Sequence, residues 1–377
     1  MDLTLTPDQE LIRSTARDVL GSRAATGGVA ALAGEPAGYS VALWKEMVEL
    51  GWTGLAVPES CGGVGEGFLE ACLLIEEMGA AQVPSPFLAT MACAAPAIER
   101  YGTGEQQAHW LSRIAGGRML TYARAAPRGG WGPEGSTVAA VASGAGWILD
   151  GTARFVPFGH VAEDVLVLAE TAGGLTAFLV DGAAPGITRE RLDVVGPNAE
   201  HHLRLASVAV PADRVLGEVG GGVAVAGTVA AFGAAATCAE MVGGAQRVLD
   251  MTVEYATRRE QFGRPIGSFQ AVQHHCADMA IDVLTARFIA YEAIWRLTAP
   301  GQPADEVALT VSAAKAWVSE AYQRVCALGH QVHGAIGFTG EHPLHHYLRH
   351  AMSAALAFGD GDFHTDQVAD RLGLPTT

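Results

Sequence analysis

The side chains best suited to chemistry fall in the stretch Arg258 to Gln273, Arg-Arg-Glu-Gln-Phe-Gly-Arg-Pro-Ile-Gly-Ser-Phe-Gln-Ala-Val-Gln. Arg259 offers a planar fork of donors suited to a phosphate. Gln270 offers an amide that both donates and accepts, and Phe262 a flat apolar surface. Upstream, Met241, Ala245, Val248, Thr252 and Tyr255 recur at helical spacing until Gly263 and Pro265 interrupt. Phe269, Val272, Cys276 and Met279 then begin a second helical face. Arg259 and Gln270 are therefore expected on opposite lips of a tight connection between two helices. The plainer reading is an ordinary helix end, where arginines in the last turn favour the helix dipole in water.

Other clusters suggest other chemistry. His342, His345, His346 and His350 fall near one face of a short helix and could hold a metal. Asp360-Gly361-Asp362 with Asp366 looks superficially like a calcium loop but lacks the required spacing and final glutamate. The glycine run Gly217 to Gly222 lacks the strand–helix–strand context of a dinucleotide fingerprint and reads as a flexible helix entry. No metal is expected.

The elements that must position these residues come in three blocks. Thr6-Pro7-Asp8-Gln9 is a helix start with an N-cap hydroxyl, proline at the first position and a capping-box glutamine; Leu43 to Leu50 and Phe68 to Gly79 are further helical runs. Around Thr121 helical spacing gives way to short apolar runs between turn residues. A hairpin is expected around Asp150-Gly151, Val165 to Ala169 should pair with Leu175 to Asp181 across Gly173-Gly174, and Ser207 to Val210 closes the set. Helices return over Val223 to about Glu260, Phe269 to about Thr298 and Ala304 to Gly329, with a short final pair. The predicted class is α+β, mainly α: a helical domain over 1–120, a small β domain over 121–222 and a helical bundle over 223–377.

Composition narrows the function classes. With 377 residues, 49% of them hydrophobic and 17% charged, the chain can bury a large core and is not a disordered segment. A net charge of -16 argues against a general nucleic-acid or anionic-membrane surface, although Arg258, Arg259, Arg264, Arg349 and Arg371 could form a local anion patch. Six scattered cysteines without a Cys-x-x-Cys pair suit reduced packing residues and a cytoplasmic setting, as does a start without signal-peptide features. Val223 to Ala239 carries no charge, but Glu240 and Arg247 follow in the same pattern, so burial among protein neighbours is expected there.

Arg-x-x-Phe-Gly, then Pro-Ile-x-x-Phe-Gln, then Gln331-Val332-His333-Gly334-Ala335-Ile336-Gly337-Phe338-Thr339 with Glu341-His342-Pro343-Leu344 resembles the acyl-CoA dehydrogenase family. The resemblance extends from about Leu5 to Gly373 and includes the Pro58-Glu59-Ser60-Cys61-Gly62-Gly63 loop after Gly51-Trp52. It implies that family's fold, FAD as cofactor and α,β-desaturation of an acyl thioester carried on CoA or a carrier protein. Electron-transfer flavoprotein or another acceptor would take the electrons. It also implies cofactor contacts from Arg259, Phe262, Gln270 and Gln331, Val332, His333, Gly334 and Ala335 across a subunit interface, hence at least a dimer. The phrasing from Ala239 to Gln246 and the Phe358-Gly359-Asp360 ending resemble an actinobacterial subgroup whose members often form unlike-subunit tetramers.

Departures from the family pattern matter as much. Ala123 to Trp131 replaces the polar Thr-Glu-Pro-x-x-Gly-Ser-Asp flavin loop, and Phe155-Val156-Pro157 replaces Trp-Ile-Thr or Trp-Ile-Ser. The two positions where the family carries its catalytic glutamate fall at Gly359 and near Gly233, neither of them acidic. Asp360 and Glu240 are the remaining base candidates; their structural alternatives are a turn-forming aspartate and a helix-packing glutamate. The resemblance therefore implies a flavin-dependent dehydrogenase subunit. The alternative is a family-fold partner or biosynthetic protein without dehydrogenase activity of its own.

Overall fold

The computed structural model describes residues 4–25, 36–124 and 136–374. Helix α1 (Pro7–Ala25) starts at a reciprocal cap, with Gln9 N donating to Thr6 Oγ1 at 3.2 Å and Thr6 N to Gln9 Oε1 at 2.9 Å. α2 (Val41–Glu49), α3 (Phe68–Ala81), a π-helical segment Leu88–Ala94 running into α4 (Ala95–Tyr101), and α5 (Gly104–Ala115) follow. α3 is buried almost all round, so its acids are satisfied by partners rather than by water. Glu76 accepts from Arg287 at 2.9 Å and from the Tyr291 hydroxyl at 2.6 Å, while Glu77 takes Arg17 at 2.7 and 3.2 Å.

The central sheet comprises β1 (Leu120–Ala123), β2 (Val138–Ser143), β3 (Gly146–Pro157), β4 (Asp164–Thr171), β5 (Gly174–Asp181), β6 (Ile187–Arg191), β7 (Glu200–Pro211) and β8 (Val215–Leu216). Its order is β6-β7-β3-β2-β4-β5-β8, with β1 parallel to β4. The unbroken apolar run Val165-Leu166-Val167-Leu168 in β4 follows from this placement. Side-chain alternation sends Val165 and Val167 into the sheet's own core, and Leu166 and Leu168 into the large core shared with the helices.

The turn expected at Asp150-Gly151 is not there. β3 continues through both residues, and the strand reverses earlier, at Gly144-Ala145, where Ser143 pairs with Gly146. Asp150-Gly151 forms an irregularity in the β3–β7 register: Asp150 Oδ1 accepts from Ser207 N at 2.6 Å, and a side chain on Gly151 would strike the Thr137 carbonyl. An Asp-Gly pair suits a bulge and a turn equally, and the cross-strand partner chose the bulge. The β4–β5 pairing matches expectation, with Thr171 opposite Gly174. The closing strand is longer than Ser207 to Val210, running over Glu200–Pro211.

Five helices complete the bundle: α6 (Gly222–Arg258), α7 (Gln270–Thr298), α8 (Ala304–His333), α9 (Leu344–Leu356) and α10 (Gly361–Arg371). α8 runs one turn beyond the expected Gly329. Among the described residues α6 is the one helix long and apolar enough to cross a membrane, but 72% of that window is buried inside the protein. Its small residues serve close crossing with α3: a Cβ on Gly243 would collide with the Glu76 carbonyl, and one on Gly79 with that of Glu240.

Candidate active site

The Arg258 to Gln273 stretch folds as a small projection between α6 and α7. Arg259 is the C-cap residue of α6, and Gln270 is the first residue of α7. Between them, β9 (Glu260–Gln261) and β10 (Arg264–Pro265) pair antiparallel around a two-residue turn. Phe262 and Gly263 both have positive φ, 58° and 77°, as a tight hairpin turn of matching twist requires. Glycine adopts this at no steric cost, whereas a phenylalanine there is uncommon. The result holds the Phe262 ring 93% exposed. Ile266 N donates to the Arg259 carbonyl at 2.8 Å and Phe269 N to the Ile266 carbonyl at 3.0 Å, closing the connection back onto itself.

Within this projection the arginines have different commitments. Arg258 pairs with Glu254 at 2.6 Å, and the Arg264 guanidinium lies 4.2 Å from the Phe269 ring centroid. Arg371 bonds Gln367 on its own helix, and Arg349 lies beside His346 and the Val195–Pro197 turn. The five arginines therefore do not form one patch. Arg259 and Gln270 are exposed, and neither side chain bonds to another described residue.

The second predicted run lies where α8 ends. Gln331 is exposed, Val332 and His333 are buried, and Gly334 (φ 64°) with Ala335 opens a 3-10 turn over Gly334–Phe338. The two runs meet through Tyr255, one turn before Arg259, whose ring stacks on His333 at 4.5 Å. His333 Nδ1 donates to the Gly329 carbonyl at 2.8 Å, while its buried Nε2 has no partner among the described residues. Burial lowers the pKa of His333, keeping the ring neutral near pH 7.

The histidines that sequence spacing grouped together do not converge on one point, although the His345 and His346 rings lie 4.0 Å apart. His342 packs against His333, and His345 Nδ1 donates to the His342 carbonyl at 2.8 Å. His350 turns into the core, where Nδ1 accepts from Gln82 at 3.0 Å and from the Tyr322 hydroxyl at 3.2 Å. Among the described residues no three histidine, cysteine or acidic side chains are grouped to hold a metal.

The base region is built quite differently. Gly233 on α6 and the turn Phe358-Gly359-Asp360 between α9 and α10 come into direct contact, so the family's two base positions converge on one spot. Phe358 fills it. A Cβ built on Gly233 would come within 2.3 Å of the Phe358 ring edge, and the ring centroid lies 5.5 Å from that of Tyr122 of β1. Phe358 has φ 59°, an unfavourable conformation for a bulky residue, and the surrounding bonds hold it there. His364 Nε2 donates to the Phe358 carbonyl at 3.1 Å, and Lys315 Nζ donates to the carbonyls of Gly359 at 3.0 Å and Ala355 at 2.9 Å.

Neither candidate carboxylate faces this spot. Asp360 is the N-cap of α10, its Oδ1 accepting from Phe363 N at 2.8 Å. Glu240 sits two helical turns from Gly233, roughly 10 Å along the axis, and its Oε2 lies 3.4 Å from His350 Nε2. Sequence reading passed over Lys315, although a lysine beside Val311 and Val318 on the buried side of α8 was a visible signal. It is fully buried, its third donor goes to Ser319 Oγ at 3.0 Å, and burial lowers its pKa to about 8.

On the sheet, Val156 is buried while Phe155 (φ 54°) is 62% exposed, and the Pro157 carbonyl accepts from Thr121 Oγ1 at 2.6 Å. Of the segment replacing the polar flavin loop, Ala123 and Arg124 are described, whereas Ala125 to Trp131 lie outside the described residues.

A fold of helices, sheet and bundle in this order, with Arg259 and Gln270 exposed at the α6–α7 connection, is that of a class of flavin oxidoreductases. The acyl-CoA dehydrogenase N-terminal domain family model matches residues 6–118, and the C-terminal domain model of the same family matches residues 220–373. The chain is 37% identical over 325 residues to acyl-CoA dehydrogenase FadE27 of Mycobacterium tuberculosis, covering 84% of each protein. Among solved structures, the ChsE4-ChsE5 complex from Mycobacterium tuberculosis aligns with a TM-score of 0.90 and 31% identity over 100% of both chains. Butyryl-CoA dehydrogenase from Megasphaera elsdenii aligns with a TM-score of 0.89 and 26% identity, over 99% of this chain and 100% of that one. The chain belongs to the acyl-CoA dehydrogenase family, whose members are FAD-dependent oxidoreductases.

The residues present fit one end of that cofactor. A free guanidinium, a free amide and an exposed ring at the α6–α7 connection suit a pyrophosphate and an adenine. The positions read as those of the catalytic base hold Gly233 and Gly359, beside the Phe358 ring, so this chain places no carboxylate there.

Proposed function

We propose that this chain is one subunit of an unlike-subunit, FAD-dependent acyl-thioester α,β-dehydrogenase, and that it supplies the cofactor clamp while its partner supplies the base. Arg259 would grip the pyrophosphate, Gln270 and the Gln331–Ala335 turn would hold the adenosine end, and Phe262 would cover it. The FAD would lie against the neighbouring subunit, which would explain why Arg259, Phe262 and Gln270 stand uncommitted on this chain's surface. Bound FAD supplies the hydride acceptor of the desaturation. This chain's residues bind, orient and shield it. The substrate would be an acyl group on CoA or a carrier protein, and the electrons would pass to electron-transfer flavoprotein or a similar acceptor. The setting would be the cytoplasm, with division near residues 120 and 222 into helical, β and bundle domains.

One observation carries the reading: the Arg259, Phe262 and Gln270 side chains are exposed and unbonded, while both positions read as those of the base hold glycines beside a packed phenyl ring. A lone dehydrogenase needs a carboxylate in a dry site beside the substrate's α carbon. Here Asp360 caps a helix and Glu240 pairs with His350. The test is the visible spectrum of the chain purified alone and co-purified with an unlike family member, before and after anaerobic addition of an acyl-CoA panel. Flavin bands that bleach only in the mixed complex are expected. Bleaching by the chain alone would replace this reading with a stand-alone enzyme; a mixed complex without flavin would favour a partner lacking redox chemistry.

A further inference from the structure

We propose that the stacked rings of His160 and His201 form an acid-sensitive latch between the N-terminal helices and the sheet, and that protonating the pair releases segment 36–40 from the turn between β3 and β4. The two ring centroids lie 4.2 Å apart, with their planes 24° from parallel. Alternation along β7 places His201 on the side of Leu203 and Leu205, in the sheet's own core, where it is 3% exposed. Its Nδ1 is buried without a partner, and the ring makes no hydrogen bond to a described residue. A phenylalanine would fill this place and strand no polar atom. A histidine here is a titratable group kept at a cost.

Three segments of the chain meet at the pair. His160 Nε2 donates to the Ala37 carbonyl at 3.0 Å, which leaves its buried Nδ1 a bare acceptor without a partner. Phe158 N donates to the Ala199 carbonyl at 2.7 Å, and the Tyr39 ring stands edge-on to Phe158 and to Trp44 of α2. A proton arriving at His160 Nδ1 would create a buried donor with nothing to accept it. One arriving at His201 would put a charge in the sheet core.

The surroundings oppose that charge. Arg191 on β6 is the cross-strand partner of His201, and Arg189 on the same strand donates Nε to the Gly159 carbonyl at 2.9 Å. Among the described residues no acid pairs with either ring. Glu200 and His202 turn to the other face of β7, Glu190 lies 3.9 Å from His202, and Glu163 pairs with Arg118 at 3.0 Å. Tyr39 stays neutral, its pKa raised by burial. Burial first, then the facing ring and the two arginines, lower His201 from 6.5 to about 4, and burial lowers His160 as well. The open latch therefore binds protons more tightly than the closed one. It keeps its full strength above pH 6.5 and loses it as pH falls from there towards 4.

Hydrogen–deuterium exchange of the full-length chain at pH 7 and pH 5, corrected for the intrinsic rate, reads the opening at the bonded amides of Phe158, Val161 and Ala162, with the β4–β5 pair as reference. Opening that frees His201 should become about twentyfold more frequent between these two pH values, while the reference holds. His201→Phe keeps a ring in the stack and removes the titration, so it should abolish the change. His160→Gln, which can still donate to the Ala37 carbonyl, should reduce it and serves if the first variant does not fold. Unchanged protection of wild type at pH 5, or the full loss persisting in every folded variant, would overturn the latch. Flavin bleaching has no part in this readout, so the subunit reading stands or falls separately.

Discussion

Arg259, Phe262 and Gln270 stand in solvent at the connection between two helices, their side chains without a hydrogen-bond partner among the described residues, whereas Phe358 and Gly359 are buried and tied down by His364 and Lys315. On the function proposed above, both regions correspond to positions of cofactor or catalytic groups. One keeps the residue types and leaves them free for a ligand; the other has exchanged them for packing. A side chain kept exposed and uncommitted contributes little to this chain's folding, so its retention points outward, toward something bound across an interface. A buried position is answerable to its own core. When an acid there loses its use, an apolar group of suitable volume stabilises better than an unpaired charge.

The comparison breaks first at the clamp. Arg259→Ala combined with Gln270→Ala should weaken FAD binding by the mixed complex about a hundredfold, since a charge-assisted and a neutral hydrogen bond are lost together. Flavin titration of the apo-complex measures this. Undiminished flavin retention would remove the clamp from this chain. The melting temperature should hardly change.

The opposite pattern is expected in the base region. Lys315→Met should cost about 2 kcal/mol of stability by stranding two buried carbonyls, read by denaturant unfolding at pH 7.5, and should leave flavin affinity in the complex intact. Its pH dependence has a definite sign. Burial lowers this lysine from 10.5 to about 8, so between those values the unfolded chain holds the proton more tightly than the folded one. Stability contributed by this site therefore rises with pH from about 8 to 10.5, by up to about 1 kcal/mol per unit. Below about 8 the cost of burying the cation is felt in full. Lys315→Met should flatten that slope, and an unchanged slope would mean the lysine is not buried as a cation.

Smaller effects separate capping from catalysis. Asp360→Ala should cost about 1 kcal/mol through the lost α10 cap, while Asp360→Asn, which can still accept from Phe363 N, should be nearly neutral. Both should leave flavin bleaching in the mixed complex unchanged. Glu240→Gln should likewise be silent in bleaching. Loss of bleaching in Asp360→Asn or Glu240→Gln would make that residue the base and dissolve the contrast between the two regions.

Much of the fold was legible because local chemistry and global structure agree in this chain. The Thr6–Gln9 cap, the break at Gly263-Pro265 and the β4–β5 pairing each announce themselves within a few residues. The Asp150-Gly151 misreading shows the opposite case. The dipeptide permits a turn, but β3, twelve residues long and paired with β7 on both sides of Asp150, overrides it. Likewise the four histidines near Pro343 share a sequence neighbourhood, yet their helix turns His350 inward and leaves His345 and His346 against each other.

The sequence by itself determined the family, the order of helices, sheet and bundle, the residues proposed for the clamp, and the absence of an acid at both expected base positions. These follow from residue type, spacing and turn chemistry, which act over one or two turns of chain. Only the tertiary structure decided that Gly233 and Phe358 touch. The same holds for Lys315 supporting the turn beside them, and for Glu240 and Asp360 being spent on His350 and a helix cap. Apart from the Asp360 cap, which is a local bond to Phe363 N, those facts depend on which side chains share a volume after segments 44 to 125 residues apart have packed, and nothing local in the chain encodes that.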